Sequence, residues 1–242
     1  VTPSTLVVPS RFCGPPRSGN GGWSAGALAD LAPWSTVTVR LSAPPPLDVA
    51  MDVAMTVAEA GGALVASYAG PEGEPIEVLR ATETDHEPAP VEPVSLDVAT
   101  EAAARYPGLT EHPFPTCVVC GTGREPGDGL RVFAGPVVPG EAGRSAAVWT
   151  PTEPGTTALA WAAMDCPGAW AADIGERLMV LGTMTARVDR LPVEGEPHVV
   201  VGEARGRHGR RTSTATSLLT ADGELLGTAE QVWIDVPASA FA

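Results

Sequence analysis

The sequence predicts an α+β chain in which two antiparallel sheets each wrap around one central helix. Three observations predict it. The same order of elements occurs twice: a short apolar strand, an apolar helix, then four strands. Both helical stretches are rich in Ala and nearly free of charge, and the strand-like runs are separated by Gly and Pro turn signals. The chain has 242 residues, 44% of them apolar and 18% charged, enough to bury a real core in one large domain or two small ones.

In the first half, Leu6 to Pro9 reads as a short strand, and the Gly-opened, Ala-rich stretch from Gly21 to Leu31 as a buried helix. Residues 36–42 and 49–58 alternate with period two, and 63–69 and 75–82 continue the pattern after the turn signals Gly61-Gly62 and Gly70-Pro71. In the second half a strand-like run at 145–150 leads to an apolar stretch at 156–172, read as interrupted by Pro167-Gly168. Strand runs at 179–190, 198–206, 211–220 and 225–236 follow. Between the halves, 83–97 is acidic and Pro-rich and reads as a linker, and 98–105 as a short exposed helix. The boundaries expected are therefore a first unit at 1–85, a linker with a short helix at 86–110, and a second unit at 111–242. A single all-β sandwich with incidental helices is the alternative.

Composition removes several function classes. The formal charge is -14, from 15 basic against 29 acidic side chains, which argues against a duplex-binding surface. Every basic residue is Arg. Without Lys the chain has neither a Schiff-base amine nor the phosphate-gripping lysine of a P-loop. No stretch reads as a secretory leader or a membrane span, and the four cysteines Cys13, Cys117, Cys120 and Cys166 are too few for a disulfide scaffold, so a cytoplasmic protein is expected.

Cys117, Cys120 and Gly121, then Gly127 to Arg131, then a strand and an apolar helix carrying Asp165, resemble the hotdog-fold acyl-CoA thioesterases of the phenylacetate-pathway type. Asn20-Gly21-Gly22, followed by Trp23 and an Ala-rich run, resembles that family's glycine entry to the central helix, with Asn where the family usually has His. The resemblance covers most of the chain as a double hotdog. It implies acyl-CoA thioester substrates, no cofactor, and a site where the helix entry of one unit faces the helix carboxylate of the other. Here the first half keeps the glycines but has Ala29 and Asp30 near the carboxylate position. The second keeps Asp165 but has Gly155, Thr156 and Thr157 in place of the glycine pair. One composite site per chain is expected, with a degenerate mirror site.

In that site the Gly22 and Trp23 amides would hold the oxyanion, aided by the helix dipole, while Gly21 lets substrate approach the backbone. Asp165, flanked by Met164 and Cys166 and near Trp161, would be desolvated and act as general base or as nucleophile. Its plain alternative is a helix cap before Pro167. Asn20 would donate to the thioester oxygen or the attacking water, or simply form a turn with Gly21. Trp161 is a candidate wall of the acyl pocket, or core. The positive run containing Arg207, Arg210 and Arg211 would grip coenzyme A phosphates, or be a solvated hairpin tip.

Other motifs fare less well. Gly22 to Gly26 matches the Gly-x-Ser-x-Gly nucleophile elbow around Ser24, but no buried strand precedes it. Cys117 and Cys120 have metal-knuckle spacing with His112 nearby, yet a second ligand pair is missing, so no metal is expected and the thiols read as packed residues. A hydratase would need an Asp and His dyad, unmatched near either helix. The chief rival to a thioesterase is a non-catalytic acyl or acyl-CoA binding protein. Exposed sheet edges leave a homodimer open.

Overall fold

The computed structural model describes residues 4–58 and 61–241; residues 1–3, the 59–60 connection and residue 242 lie outside it. The first half contains β1 (Ser4–Val7), α1 (Gly21–Ala29), β2 (Thr36–Leu41), β3 (Ala50–Ala58), β4 (Gly61–Ala69) and β5 (Pro75–Glu83). After α2 (Leu96–Ala103) and the two-residue β6 (Gly135–Pro136), the second half contains β7 (Arg144–Trp149), α3 (Thr157–Ala171), β8 (Met179–Val188), β9 (His198–His208), β10 (Arg211–Thr220) and β11 (Leu225–Asp235). The repeated order of elements is present, and Gly61 and Gly62, expected in a turn, open β4 instead.

The expectation of two sheets is corrected. All strands form one 11-stranded sheet in the order β1-β3-β4-β5-β2-β8-β11-β10-β9-β7-β6. Apart from β6, the halves share one strand order, read outward from a seam between β2 and β8. The seam is antiparallel, from Thr36 opposite Arg187 to Arg40 opposite Thr183, and Thr38 Oγ1 lies 2.8 Å from Thr185 Oγ1 across it. The physical reason is edge pairing. Each half alone would leave β2 or β8 with a row of unpaired backbone groups, and joining the two satisfies both.

α3 is apolar all round because it is covered on all sides, and α1 is nearly so, with Gly21, Trp23 and Ala27 half-buried. They pack against each other and against the inner face of the sheet, and every residue of α3 except Thr157 is buried. Pro167 does not interrupt α3, as the sequence suggested; the helix runs through it. Gly202 on β9 makes room there, since a Cβ would come within 2.4 Å of the Pro167 carbonyl oxygen.

The linker helix is also not simply exposed. Ala99 and Ala102 of α2 are buried against a second apolar layer with Val91, Ala146, Val199, Val201, Ala215 and Leu219 on the outer face of the sheet. That explains why β9 opens with residues buried on both faces: α3 covers one side and the linker the other. Polar contacts hold the linker down, with the Val91 amide donating to Ser217 Oγ at 2.8 Å and His86 Nε2 2.7 Å from Glu230.

Candidate active site

The first four amides of a helix have no partner inside the helix. In α1 three of them are satisfied. The Asn20 amide donates to the Phe12 carbonyl at 2.8 Å, the Gly22 amide to Asp165 Oδ2 at 3.1 Å, and the Trp23 amide to Asn20 Oδ1 at 2.8 Å. Asn20, the N-cap, also donates its Nδ2 to Asp165 Oδ2 at 2.8 Å. The Gly21 amide has no partner among the described residues.

Two helices bring these groups together in a ladder with one rung every four residues. Gly22 faces Asp165, Gly26 faces Trp161, and Asp30, just past the end of α1, accepts from Thr157 Oγ1 at 2.6 Å. The helices therefore run antiparallel. A Cβ on Gly22 would fall 2.5 Å from the Cβ of Asp165, and one on Gly26 would fall 2.6 Å from that of Trp161. Gly21 is equally constrained, since its Cβ would meet Leu181 of β8 at 2.8 Å. Both entry glycines are thus required by close packing of elements, beyond any need to admit a ligand. At the other end of this helix contact the hydroxyl of Thr157, the first residue of α3, and the Asp30 carboxylate simply bond each other, while Thr156 caps the helix.

Asp165 is 2% exposed, and its Oδ1 has no hydrogen-bond partner among the described residues. Burial pushes its pKa up to about 7; the Gly22 amide and Asn20 pull the other way, and the nearby Cys117 sulfur adds to the rise. The carboxylate lies on the wall of a cleft of about 320 Å³. Gly19, Asn20 and Gly21 form one side; Leu181, Trp233 and Phe241 contribute apolar surface elsewhere. A cavity of that size with few polar groups suits an acyl chain.

Several expected roles need correcting. The Gly22 and Trp23 amides are already engaged by Asp165 and Asn20, so neither points free into the cleft. Asp165 is no cap, because it sits within continuous helix. Trp161 is buried and outside this cleft; being one turn from Asp165, it meets Gly26 rather than Gly22 and borders the hollow beside Asp30. Of the arginines, Arg207 donates to Asp235 Oδ2 at 2.5 Å and Arg210 to the Asp235 carbonyl at 2.8 Å, while Arg211 is exposed where β10 begins. Asp235 lies between the cleft-lining Ile234 and Val236, so the cluster stands at the cleft's rim and outside its lining. Ser24 is buried within α1.

Residues that the sequence analysis gave no part in the site also line the cleft: His112, Cys117, Cys120 and Cys166, the cysteines having been read as packed thiols. His112 Nδ1 accepts from the Phe114 amide at 2.9 Å and Nε2 lies 3.0 Å from the Cys120 carbonyl oxygen, which fixes Nε2 as the donor. Burial moves this imidazole down from its ordinary value. Beneath Asp165, Gln231 donates to the Met164 carbonyl at 2.9 Å and to Thr216 Oγ1 at 2.7 Å, and accepts from Thr214 Oγ1 at 2.7 Å. This buried network pins the turn of α3 that carries the carboxylate. Gln231 is the only glutamine of the chain, which was its one sequence signal.

No family model matches the chain, and no curated protein matches it. Solved structures do match in fold. A candidate thioesterase from Novosphingobium aromaticivorans is 13% identical with a TM-score of 0.63, the match covering 96% of this chain and 95% of that one. A TesB protein of Mycobacterium avium subsp. paratuberculosis is 14% identical with a TM-score of 0.55, covering 90% and 87%. An N-terminal dehydratase from the difficidin assembly line is 9% identical with a TM-score of 0.65, covering 99% and 94%. At such identities the likeness establishes the fold: this is a hotdog-fold chain, similar along nearly its whole length to TesB-type thioesterase structures. No described helix is long and apolar enough to cross a membrane.

Proposed function

We propose that the chain hydrolyses acyl-CoA thioesters at one composite site, where the entry of α1 meets Asp165 of α3. The observation that carries this reading is the Asp165 carboxylate. One oxygen is held by Asn20 and Gly22, and the other is unpartnered, beside an apolar cleft and the unengaged Gly21 amide. In this reading the acyl chain occupies the cleft and the thioester carbonyl accepts from the Gly21 amide at the positive end of α1. Asp165 Oδ1 takes a proton from water as the water oxygen bonds to the carbonyl carbon. The tetrahedral intermediate then expels the coenzyme A sulfur, which receives that proton, leaving free acid and thiol. Asn20 positions the carboxylate. Direct attack by Oδ1, through an anhydride, is the alternative chemistry, and oxygen-18 from labelled water would then enter Asp165 in a single turnover.

Residues 1–85 and 111–242 would be the two hotdog units, with coenzyme A phosphates reaching the arginines at the rim and a second copy pairing, if at all, along an outer strand. Two observations favour other readings. Asp165 is nearly closed off, which suits a protein that binds acyl groups without turnover. Dehydratases of this fold are among the structural neighbours and His112 shares the cleft, although both its ring nitrogens are engaged.

One experiment separates the three. A panel of acyl-CoAs, including 3-hydroxyacyl forms, is incubated with the wild-type chain and with Asp165→Asn, and free coenzyme A and enoyl thioester are quantified by chromatography. Coenzyme A release that falls by about 10²–10⁴ in the variant supports the proposal. Saturable binding without product points to a binding protein, and enoyl product to a dehydratase.

A further inference from the structure

Three of the four cysteines converge on one point of the cleft wall. Cys117 and Cys120 come from an irregular loop and Cys166 from α3, and the three Sγ atoms lie within 4.8 Å of one another, all buried. Cys13 stands apart, contacting Arg124 and the Thr116 carbonyl. We propose that Cys117, Cys120 and Cys166 form a three-thiolate site for a soft divalent metal ion, zinc foremost, whose fourth position opens on the cleft. Nothing in the proposed hydrolysis uses these thiols, and the inference stands or falls separately from it.

Geometry separates this trio from ordinary packed cysteines. The Cys117 and Cys166 sulfurs are 3.8 Å apart. Two sulfurs on a tetrahedral zinc, at about 2.3 Å each, are separated by about 3.8 Å, so little movement is needed to close around an ion. The loop carrying Cys117 and Cys120 is a tight knuckle. Its Gly121 amide donates to the Cys117 carbonyl at 2.8 Å, and a Cβ on Gly121 would lie 2.5 Å from the Cys117 and Pro115 carbonyl oxygens. It sets Cys117 Sγ within reach of Cys166. Asn20 Nδ2 stands 3.9 Å from the same sulfur. The Cys-x-x-Cys pair lacked a further ligand in the sequence, and the fold supplies it from α3. All three cysteines line the cleft, which leaves a coordination position for water or a ligand atom, as in catalytic rather than closed structural zinc sites.

The test uses the intact chain, purified under reducing conditions from zinc-supplemented culture. Elemental analysis should find about one zinc per chain after gel filtration. Cys166→Ser and Cys117→Ser should lose it, whereas Cys13→Ser should keep it. Because a serine variant can fail to fold, the wild-type chain is also stripped with chelator and titrated with cobalt. The expected signature is the strong sulfur-to-cobalt charge-transfer band with tetrahedral visible bands, bleached by added zinc. A metal-free preparation whose cobalt spectrum stays that of the hydrated ion would overturn the site. So would zinc retained by folded Cys117→Ser, or an intact mass two hydrogens low, which would assign the trio to disulfide chemistry instead.

Discussion

A carboxylate that keeps one oxygen unpaired inside a protein does so at a cost, and at position 165 the cost would give the residue its proposed chemistry. Raised to about 7, Asp165 holds its proton in the folded chain over a pH range where the unfolded chain has lost it. The stabilisation from that bound proton is complete below pH ~4 and is lost as pH rises through about 7, amounting to about 4 kcal/mol. Asp165→Asn should therefore raise resistance to urea at pH 8 and have little effect at pH 4, while abolishing turnover; equal effects at both pH values would refute the assignment. Turnover by the reduced, metal-free wild type should rise with pH through about 7, since a base must be ionised to accept a proton. Asn20→Ala should lower turnover and also shift this limb upward, because it removes one of the two donors that favour the ionised form. How far such a site can be read in advance varies with the residue. Asp165 was legible as the lone charge in an apolar helix, and Asn20 as the only asparagine beside a glycine pair. That the Gly22 and Trp23 amides were already taken was not legible, because their acceptors are fixed only once the side chains of Asn20 and Asp165 face them.

At the scale of elements, the contact of α1 with α3 sets the site through a stripe of small residues. Gly22 and Gly26 occur one turn apart, and so do Trp161 and Asp165. Antiparallel packing matches the first glycine with the carboxylate and the second with the indole. The four-residue spacing of Trp161 and Asp165 puts them on one helix face. It gave no direction for the partner helix, and so did not show that Trp161 would be core while Asp165 reached the cleft. Gly26→Ala should destabilise the chain by about 1–3 kcal/mol in urea unfolding, as the new methyl collides with Trp161. Gly22→Ala should cost a similar amount and also depress turnover sharply, because its methyl would displace Asp165. If Gly22→Ala retained wild-type turnover, the Gly22–Asp165 contact would have no part in the chemistry. The thiol trio shows the same limit of sequence reading. Cys117 and Cys120 announced themselves by spacing, whereas Cys166 joined them only through the docking of α3 on the loop.

For the molecule as a whole, the seam between β2 and β8 decides whether the two halves behave as one body. Alternation was legible in strands such as β2 and β8, which turn one face toward α1 or α3. Which edges would meet was not, since an edge strand's unpaired backbone carries no side-chain signature. The structure ties the halves three times: by the seam, by the helix ladder, and by the linker fastened across the outer face of the second half through Val91 and α2. Interlocking of that kind leaves neither half a complete core, because α1 and α3 are each other's lining. Calorimetry should accordingly show a single unfolding transition with calorimetric and van't Hoff enthalpies in agreement. Thr38→Pro, which deletes a backbone donor in the middle of β2, a strand paired on both sides, should lower stability by about 3 kcal/mol or more and still leave one transition. Two resolved transitions in the wild type, one for each half, would mean that the seam and the helix contact are too weak to hold a site composed from both.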